Sequence, residues 1–256
     1  MLDLSANYIQ ALLWSTALWL AVPFLISLWT GKEQAFCDLQ SREARAINLG
    51  FWLFEAMALG PLLWLLSRYG LGAETQALDL DRPRDMTFKA LNWVLGFLLA
   101  LWLGDGLAAA RHRLEHTRFF WRFHAWHHTV DASDWLQTHR HHPLSRLIAF
   151  FAEVILLALL LEMVFGTIPW LSMIAAMACR RAYAIWLHGG SDWGMNSHVA
   201  RYLVLPGHHR AHHAGAPIYS GMFRHWDCLW STEQSPERHR GQRIRLSRLG
   251  NSIRSD

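Results

Sequence analysis

Histidines dominate one part of this sequence, and their clustering indicates metal chemistry. Of the 16 histidines, 14 lie between His112 and His213, whereas the first 111 residues contain none. Imidazole is the commonest metal-binding side chain in proteins, and it is the one that titrates nearest neutral pH. We therefore predict a metal centre in the second half of the chain.

Three groups of histidines have the spacing of one helix face, because residues three and four apart are neighbours on a helix. The groups are an i,i+4 pair and two His-x-x-His-His triples: His112 and His116; His124, His127 and His128; His209, His212 and His213. Eight imidazoles are more than one ion needs beside a substrate position, so two neighbouring ions are predicted. His188, next to Gly189 and Gly190, is predicted to be a ninth ligand.

The remaining histidines are predicted to lie on the surface or to support the ligands from behind. They are His139, His141, His198, His208, His225 and His239, and the role of His142 is left open. Asp105 has two interpretations: an acid at a helix end near the membrane interface, or a hydrogen-bond partner of His112 two helical turns later.

Long apolar blocks predict an integral membrane protein. The chain is 52% hydrophobic and 17% charged, and five segments are each about long enough to cross a bilayer. These segments are 8–29, 47–66, 90–107, 146–165 and 168–187. The first is interpreted as a retained span rather than a signal peptide, because it is too long and has no basic residue ahead of it. The last two form a hairpin that either crosses fully or re-enters.

Charge predicts the orientation of these segments. With the N-terminus outside and five crossings, 20 of the 24 Lys and Arg residues fall on the inner side, so the histidines and the C-terminus are predicted to face the cytoplasm. The net charge of +4 favours lipid headgroups over nucleic acid as a partner, because the arginines flank apolar blocks. Three widely spaced cysteines without a C-x-x-C pair predict neither disulfides nor a thiolate metal site.

The predicted fold is all-α: a membrane helical bundle of four to five segments with a cytosolic, helical, histidine-rich metal domain. Residues 1–110 are assigned to the N-terminal transmembrane helices. Residues 111–232 are assigned to the catalytic domain, which a membrane hairpin interrupts at about 146–187. Residues 233–256 form a basic tail.

These motifs resemble the membrane-bound fatty acid hydroxylase/sterol desaturase superfamily over about residues 100–232. The resemblance rests on five matches: Asp105 seven residues before His112-Arg113-Leu114-Glu115-His116; His124 to His128; Thr138-His139-Arg140-His141-His142-Pro143; Pro206 before His209 to His213; and Trp226-Asp227-Cys228-Leu229. The sequence departs from the family pattern after the last histidine group, where Ile218 replaces Asn, Ser220 replaces Gly, and Trp230-Ser231 replace Phe-Gly.

The resemblance implies a di-metal centre, usually two non-haem irons, that oxidises a lipid with O₂ on the cytosolic face of a helical membrane domain. Zinc would bind the same imidazoles but has no redox chemistry. Asp105 and Asp227 are candidate acids that orient ligand imidazoles, and Arg140 is a candidate acid partner or headgroup contact. No GxGxxG follows a strand, so electrons are expected from a separate reductase, cytochrome or ferredoxin.

Two other functions stay open at this point. A membrane zinc hydrolase would use fewer imidazoles and lacks an evident His-Glu-x-x-His motif here. A non-enzymatic metal or haem carrier would place its histidines within the spans, whereas these lie almost entirely outside them. The spacing does not distinguish hydroxylation from desaturation, nor fatty acyl from sterol-like, carotenoid or headgroup-modified substrates. It also leaves the electron donor and the oligomeric state open.

Overall fold

A computed structural model describes residues 42–55, 57, 86–128, 135–166, 168–189, 195 and 197–230. Within these residues the structure is helical, with one isolated antiparallel bridge between Leu203 and Phe223. The predicted all-α class is confirmed for this part of the chain. The predicted first segment, 8–29, lies outside it, and the second segment, 47–66, is described only to residue 55 and at residue 57.

Eight α-helices follow one another along the described chain. They are α1 (Arg42–Phe54), α2 (Met86–Glu115), α3 (Trp121–His128), α4 (Pro143–Phe150), α5 (Leu157–Phe165), α6 (Trp170–Leu187), α7 (Pro206–His213) and α8 (His225–Leu229). A π-helical segment, Phe151–Leu156, joins α4 to α5 without a break. Two 3-10 helices, Trp135–His139 and His198–Arg201, precede α4 and α7.

Local sequence explains where several of these helices begin and end. Pro143 occupies the first turn of α4, where its missing N–H is not needed, and Nδ1 of His142 caps that helix by accepting the N–H of Leu144 at 3.1 Å. Gly166 ends α5 in the left-handed conformation with φ 71°, where a side chain would be strained. α6 then begins directly after Pro169.

The main core lies where α5 and α6 pack against α2. Its buried residues are Ala100, Leu157, Ala158, Leu161, Ile168, Met173 and Ala176. Small residues bring the helix backbones close together: a Cβ on Gly96 of α2 would lie 3.1 Å from the hydroxyl of Ser172, which itself donates to the carbonyl of Trp93 at 3.0 Å. A smaller core of Trp186, Leu187, Ala200, Val204 and Leu205 supports the start of α7.

Two helices are long and apolar enough to cross a membrane. They are Leu91–Glu115, with mean hydropathy 1.7, and Pro143–Phe165, with mean hydropathy 2.6. Large apolar side chains on both are exposed, among them Leu98 and Met163, the latter 82% exposed. Such exposed apolar faces are expected of helices surrounded by lipid. The predicted total of four to five segments remains a prediction.

One boundary differs from the sequence prediction. The third segment was expected to end at residue 107, but α2 continues to Glu115, so that His112 lies in this helix and His116 directly follows it. Arg111 and Glu115 form an i,i+4 ion pair, and Arg111 also binds Glu153 with 2.7 Å between Nε and Oε1. The helix continues because these charges are satisfied inside the protein, which hydropathy alone does not show.

Charged residues inside the predicted fourth and fifth segments pair with one another. Glu153 binds Arg180, and a Cβ on Gly104 would lie 2.6 Å from the Arg180 guanidinium, so this glycine makes room for the contact. A second group surrounds Glu55, which binds Arg146 at 2.7 Å and Arg181 at 2.9 Å. Pairing of this kind reduces the cost of placing charges in apolar surroundings.

Candidate metal centre

The structure gathers nine histidines into two neighbouring groups. The five-histidine group consists of His112, His116, His124, His128 and His212, and the four-histidine group consists of His127, His188, His209 and His213. Within each group, the nitrogen atoms that could bind a metal all lie within 4.8 Å of one another. These nine are the residues singled out by sequence spacing, including His188.

Each histidine-bearing helix contributes through its i,i+3,i+4 spacing. α2 supplies a pair to the five-histidine group only, whereas α3 and α7 each supply histidines to both groups. The two groups therefore lie side by side. The rings of His128 and His213, one from each group, stack with centroids 4.4 Å apart.

Nε2 atoms within each group face each other at short range. In the five-histidine group, His128 Nε2 lies 3.1 Å from that of His124 and 3.2 Å from that of His212. In the four-histidine group, the Nε2 atoms of three consecutive pairs are separated by 3.0 to 3.3 Å: His209–His188, His213–His209 and His188–His127. One Nε2 has a single in-plane lone pair or proton, so it cannot form good hydrogen bonds with two such neighbours at once.

This spacing matches that of nitrogen atoms that share one cation. Two nitrogens bound to one ion at a metal–nitrogen distance of about 2.0–2.1 Å lie about 2.9–3.4 Å apart in octahedral or tetrahedral geometry. The Nε2 separations fall within that range. The residues therefore fit two metal ions, with imidazole donors that suit iron as well as zinc.

Backbone carbonyls hold the outer nitrogens of several of these imidazoles. Nδ1 of His112 lies 2.9 Å from the carbonyl oxygen of Tyr219, that of His212 lies 3.3 Å from Ala216 O, and that of His188 lies 2.7 Å from Ala184 O. A carbonyl only accepts, so Nδ1 carries the proton in each case. Nε2 is then left unprotonated and free to bind a metal.

Burial favours the neutral, metal-binding form of the imidazoles outside the membrane segments. Burial, and then the charge that neighbouring imidazoles would carry, holds the pKa of His209 and His212 well below 6.5. The same causes lower the pKa of His128 to about 3 and that of His116 to about 4. The site is therefore arranged to bind cations rather than protons at neutral pH.

The two aspartates predicted to orient ligand imidazoles contact backbone instead. Asp105 accepts the N–H groups of Met222 and Phe223 at 2.8 and 2.9 Å, and Asp227 accepts that of Tyr219 at 2.8 Å. Both carboxylates therefore hold the segment 219–223, whose Tyr219 carbonyl faces His112. Asp105 and Asp227 therefore act on His112 through this segment. The predicted direct contact between Asp105 and His112 is wrong.

Arg140 and His142 lie outside both groups. Arg140 Nη1 approaches the side-chain oxygen of Asn48 at 3.5 Å, and no acid pairs with Arg140 among the residues that the structure describes. The acid partner expected for Arg140 is therefore not found there, and the headgroup contact remains a prediction. His142, whose role the sequence left open, caps α4.

Of the histidines set aside by the sequence analysis, His139 and His208 are buried close to the site, and His141 is half-buried there. His139 lies 2.6 Å from Glu55 through Nδ1, His208 accepts the N–H of Leu205 at 3.0 Å, and His141 stacks on His127 with centroids 4.4 Å apart. A surface location is wrong for them, and a supporting one agrees with these contacts. His198 is exposed, as expected.

Sequence reasoning missed two residues that contact the site directly. Glu115 places Oε2 3.1 Å from Nδ1 of His124, and the Tyr219 ring lies 5.1 Å from that of His116 between centroids. Glu115 stands inside the first histidine motif, so its position was visible in the sequence. Its contact with α3 was not visible, since that depends on the turn between the two helices.

Comparisons with known proteins agree with this geometry. The sequence model of the family described as "fatty acid hydroxylase" matches residues 97–232. A C-4 methylsterol oxidase of Schizosaccharomyces pombe is 27% identical over 136 residues, which are 52% of this chain and 45% of that protein. The chain thus matches less than half the length of this relative. No solved structure matches the chain closely enough to add to the comparison.

The family match covers more than half of the chain and includes every member of both histidine groups. The chain belongs to the fatty acid hydroxylase family of oxidoreductases.

Proposed function

We propose that this protein uses O₂ to oxidise an alkyl C–H bond of a membrane lipid, by hydroxylation or desaturation, at a pair of histidine-bound irons. The observation that carries the proposal is the convergence of imidazole nitrogen atoms in two adjacent groups. A hydrolytic zinc site would need fewer imidazoles and a single ion. Two groups in contact favour chemistry that uses two redox metals.

In this proposal His112, His116, His124, His128 and His212 hold one iron, and His127, His188, His209 and His213 hold the other. Iron supplies the redox chemistry that O₂ activation and C–H cleavage require; zinc in isolated protein would occupy the same ligands without it. The protein's own contribution is positional. Carbonyls of Tyr219, Ala216 and Ala184 fix three imidazoles with Nε2 facing inward.

Lipid is the substrate class that best fits the surroundings of the site. α2 carries a histidine pair at its C-terminal end and exposed apolar side chains such as Leu98 and Trp102 along its length. A hydrophobic tail lying along this helix would reach the histidines without crossing water. The matching relative is named for oxidation of a C-4 methylsterol, which supports a sterol-like or acyl lipid.

The organisation of the whole chain extends this proposal. Residues 1–110 anchor the protein in the bilayer, 111–232 form the catalytic domain with a membrane hairpin at 146–187, and 233–256 form a basic tail on the cytoplasmic side. The protein crosses the membrane four or five times. Electrons come from a separate reductase, cytochrome or ferredoxin. A reporter fused to the C-terminus is expected to read as cytoplasmic, and an extracytoplasmic reading would overturn the topology.

The function is tested on purified protein and on lipid extracts of cells with and without it. We expect two irons per chain and an oxidised lipid that appears only with the protein and O₂. Under ¹⁸O₂, hydroxylation adds one labelled oxygen atom, whereas desaturation removes two hydrogens without label. Fewer than one metal per chain, or lipid turnover that continues without O₂, would contradict the proposal.

A further inference from the structure

Glu115 is an acid buried against the metal centre. It lies on α2 between His112 and His116, and its side chain is 1% exposed. Its Oε2 atom approaches Nδ1 of His124, which is also 1% exposed, at 3.1 Å. The negative charge of the carboxylate beside Nδ1 favours a proton on that nitrogen, which leaves Nε2 for a metal.

His124 differs in this respect from the other imidazoles of the two groups. The outer nitrogens of His112, His188 and His212 face neutral carbonyl oxygens. Among the residues that the structure describes, His124 is the one member of either group within ion-pair distance of a carboxylate. A negative acceptor makes an imidazole a stronger donor to a metal than a neutral acceptor does.

A chain of ion pairs holds Glu115 in place. Arg111 bridges Glu115 and Glu153, and Glu153 also binds Arg180 of α6. Glu153 belongs to the π-helical segment, a form of helix that is rare and frequent at functional sites. All four side chains are at most 18% exposed. Glu115 is therefore kept as a carboxylate in a fixed position although it is buried.

We propose that Glu115 is a positioning residue that acts through His124 and supports the ion of the five-histidine group with a negative charge, which no described residue supplies to the other group. The inference rests on the proposed pair of metal ions and adds that the two ions are unequal. The ion of the five-histidine group is held more tightly because one of its donors is strengthened by a carboxylate. The four-histidine group has one imidazole fewer, and none of its members lies within ion-pair distance of a carboxylate in the part of the chain that the structure describes.

Competition for Zn²⁺ between a chelator and the intact protein tests this asymmetry. Wild-type protein is expected to release two zinc ions in two separate steps. Glu115→Gln keeps the shape of the side chain and removes its charge. We therefore expect the zinc affinity of the tighter site to fall by about 10- to 100-fold, the range typical of such supporting contacts, and that of the weaker site to stay unchanged. Glu162→Gln, at an exposed acid of α5, is the matched control and should leave both steps unchanged.

A second variant separates positioning of His124 from general destabilisation. Glu153→Gln weakens the ion-pair chain but leaves the contact between Glu115 and His124, so its effect on zinc release should be smaller. The proposal is overturned if Glu153→Gln lowers the zinc affinity of the tighter site as much as Glu115→Gln does. It is also overturned if Glu115→Gln lowers the zinc affinity of both sites equally. Circular dichroism with unchanged helix content confirms that each variant is folded.

A spectroscopic readout distinguishes this inference from the proposed function itself. In protein loaded with ⁵⁷Fe, Glu115→Gln is expected to change the Mössbauer doublet of one iron and to leave the other unchanged. Wild-type protein that binds fewer than two ions would refute the metal pair. If the wild type binds two ions, but Glu115→Gln has the same zinc release and the same spectra as the wild type, then only the role of Glu115 is refuted.

Discussion

Individual histidines of the two groups are predicted to be indispensable. His212 is 1% exposed, and its Nε2 lies 3.2 Å from that of His128. We expect His212→Ala and His128→Ala each to lose bound metal and to abolish lipid oxidation, because each removes one imidazole donor of the five-histidine group. Metal analysis and product formation are the measurements. Exposed His198 is the control, and His198→Ala should change neither; normal activity in either of the first two variants would refute the ligand assignment.

His142 tests whether proximity to the site in sequence implies a role in metal binding. Its Nδ1 accepts the first free N–H of α4, so His142→Ala should lower the free energy of unfolding by about 0.5–2 kcal/mol, the usual effect of losing a helix cap. Bound metal should stay at the wild-type level. Denaturant unfolding and metal analysis check the two parts, and loss of metal would show that His142 does more than cap the helix.

Sequence spacing anticipated which histidines lie together but not the contacts of the acids, for a physical reason. Imidazoles three and four apart share a helix face wherever the helix goes, so the spacing carries the information. Asp105 lies seven residues before His112, which on one helix separates them by about 10 Å along the axis, beyond hydrogen-bond reach. Glu115 reaches His124 across the turn between α2 and α3, and local periodicity does not describe that contact.

Two helical glycines differ in their surroundings, so replacing each by alanine is expected to change stability in opposite directions. A Cβ on Gly106 of α2 would meet the Trp226 ring at 2.6 to 3.0 Å, whereas a Cβ on Gly50 of α1 would meet nothing within 4 Å. Gly106→Ala should therefore displace α8 and destabilise the protein. Gly50→Ala should stabilise it by about 0.5–1 kcal/mol, since alanine is the better helix former.

Thermal unfolding of the two variants, made in the same background, measures this contrast. Both substitutions add one methyl group to a helix, so any difference between them reports what surrounds the glycine. Gly106→Ala is also expected to lower metal content, because Trp226 lies beside Asp227, which holds the segment facing His112. Equal stability of the two variants would show that α8 does not pack on α2 as described.

Helix positions were predictable to a few residues where the apolar pattern was continuous. The predicted fourth and fifth segments, 146–165 and 168–187, correspond to α4 through α5 at 143–165 and to α6 at 170–187. The π-helical segment and the extension of α2 to Glu115 were not predictable. Ion pairs between distant residues lie at both places, Arg111 with Glu153 and Glu153 with Arg180, and the apolar pattern does not show them.

Buried histidines make the stability of the whole molecule depend on pH. Burial is the main cause that lowers the pKa of both His139 and His188 to about 4. In the unfolded chain a histidine titrates near 6.5. Between these values the unfolded chain binds protons that the folded chain excludes, so the free energy of unfolding rises with pH and falls as pH decreases.

We expect metal-free protein in detergent to lose stability progressively as the pH is lowered from about 6.5 to about 4, with little change above pH 7. Denaturant unfolding at a series of pH values measures this slope. His139→Gln has one buried imidazole fewer, so its slope should be shallower than that of the wild type, whatever its stability at pH 7.5. Added Zn²⁺ should steepen the wild-type dependence, since protons then compete with the ion for the same nitrogens. A free energy of unfolding that stays level from pH 7 to pH 4.5 would contradict the burial of neutral imidazoles on which the metal centre depends.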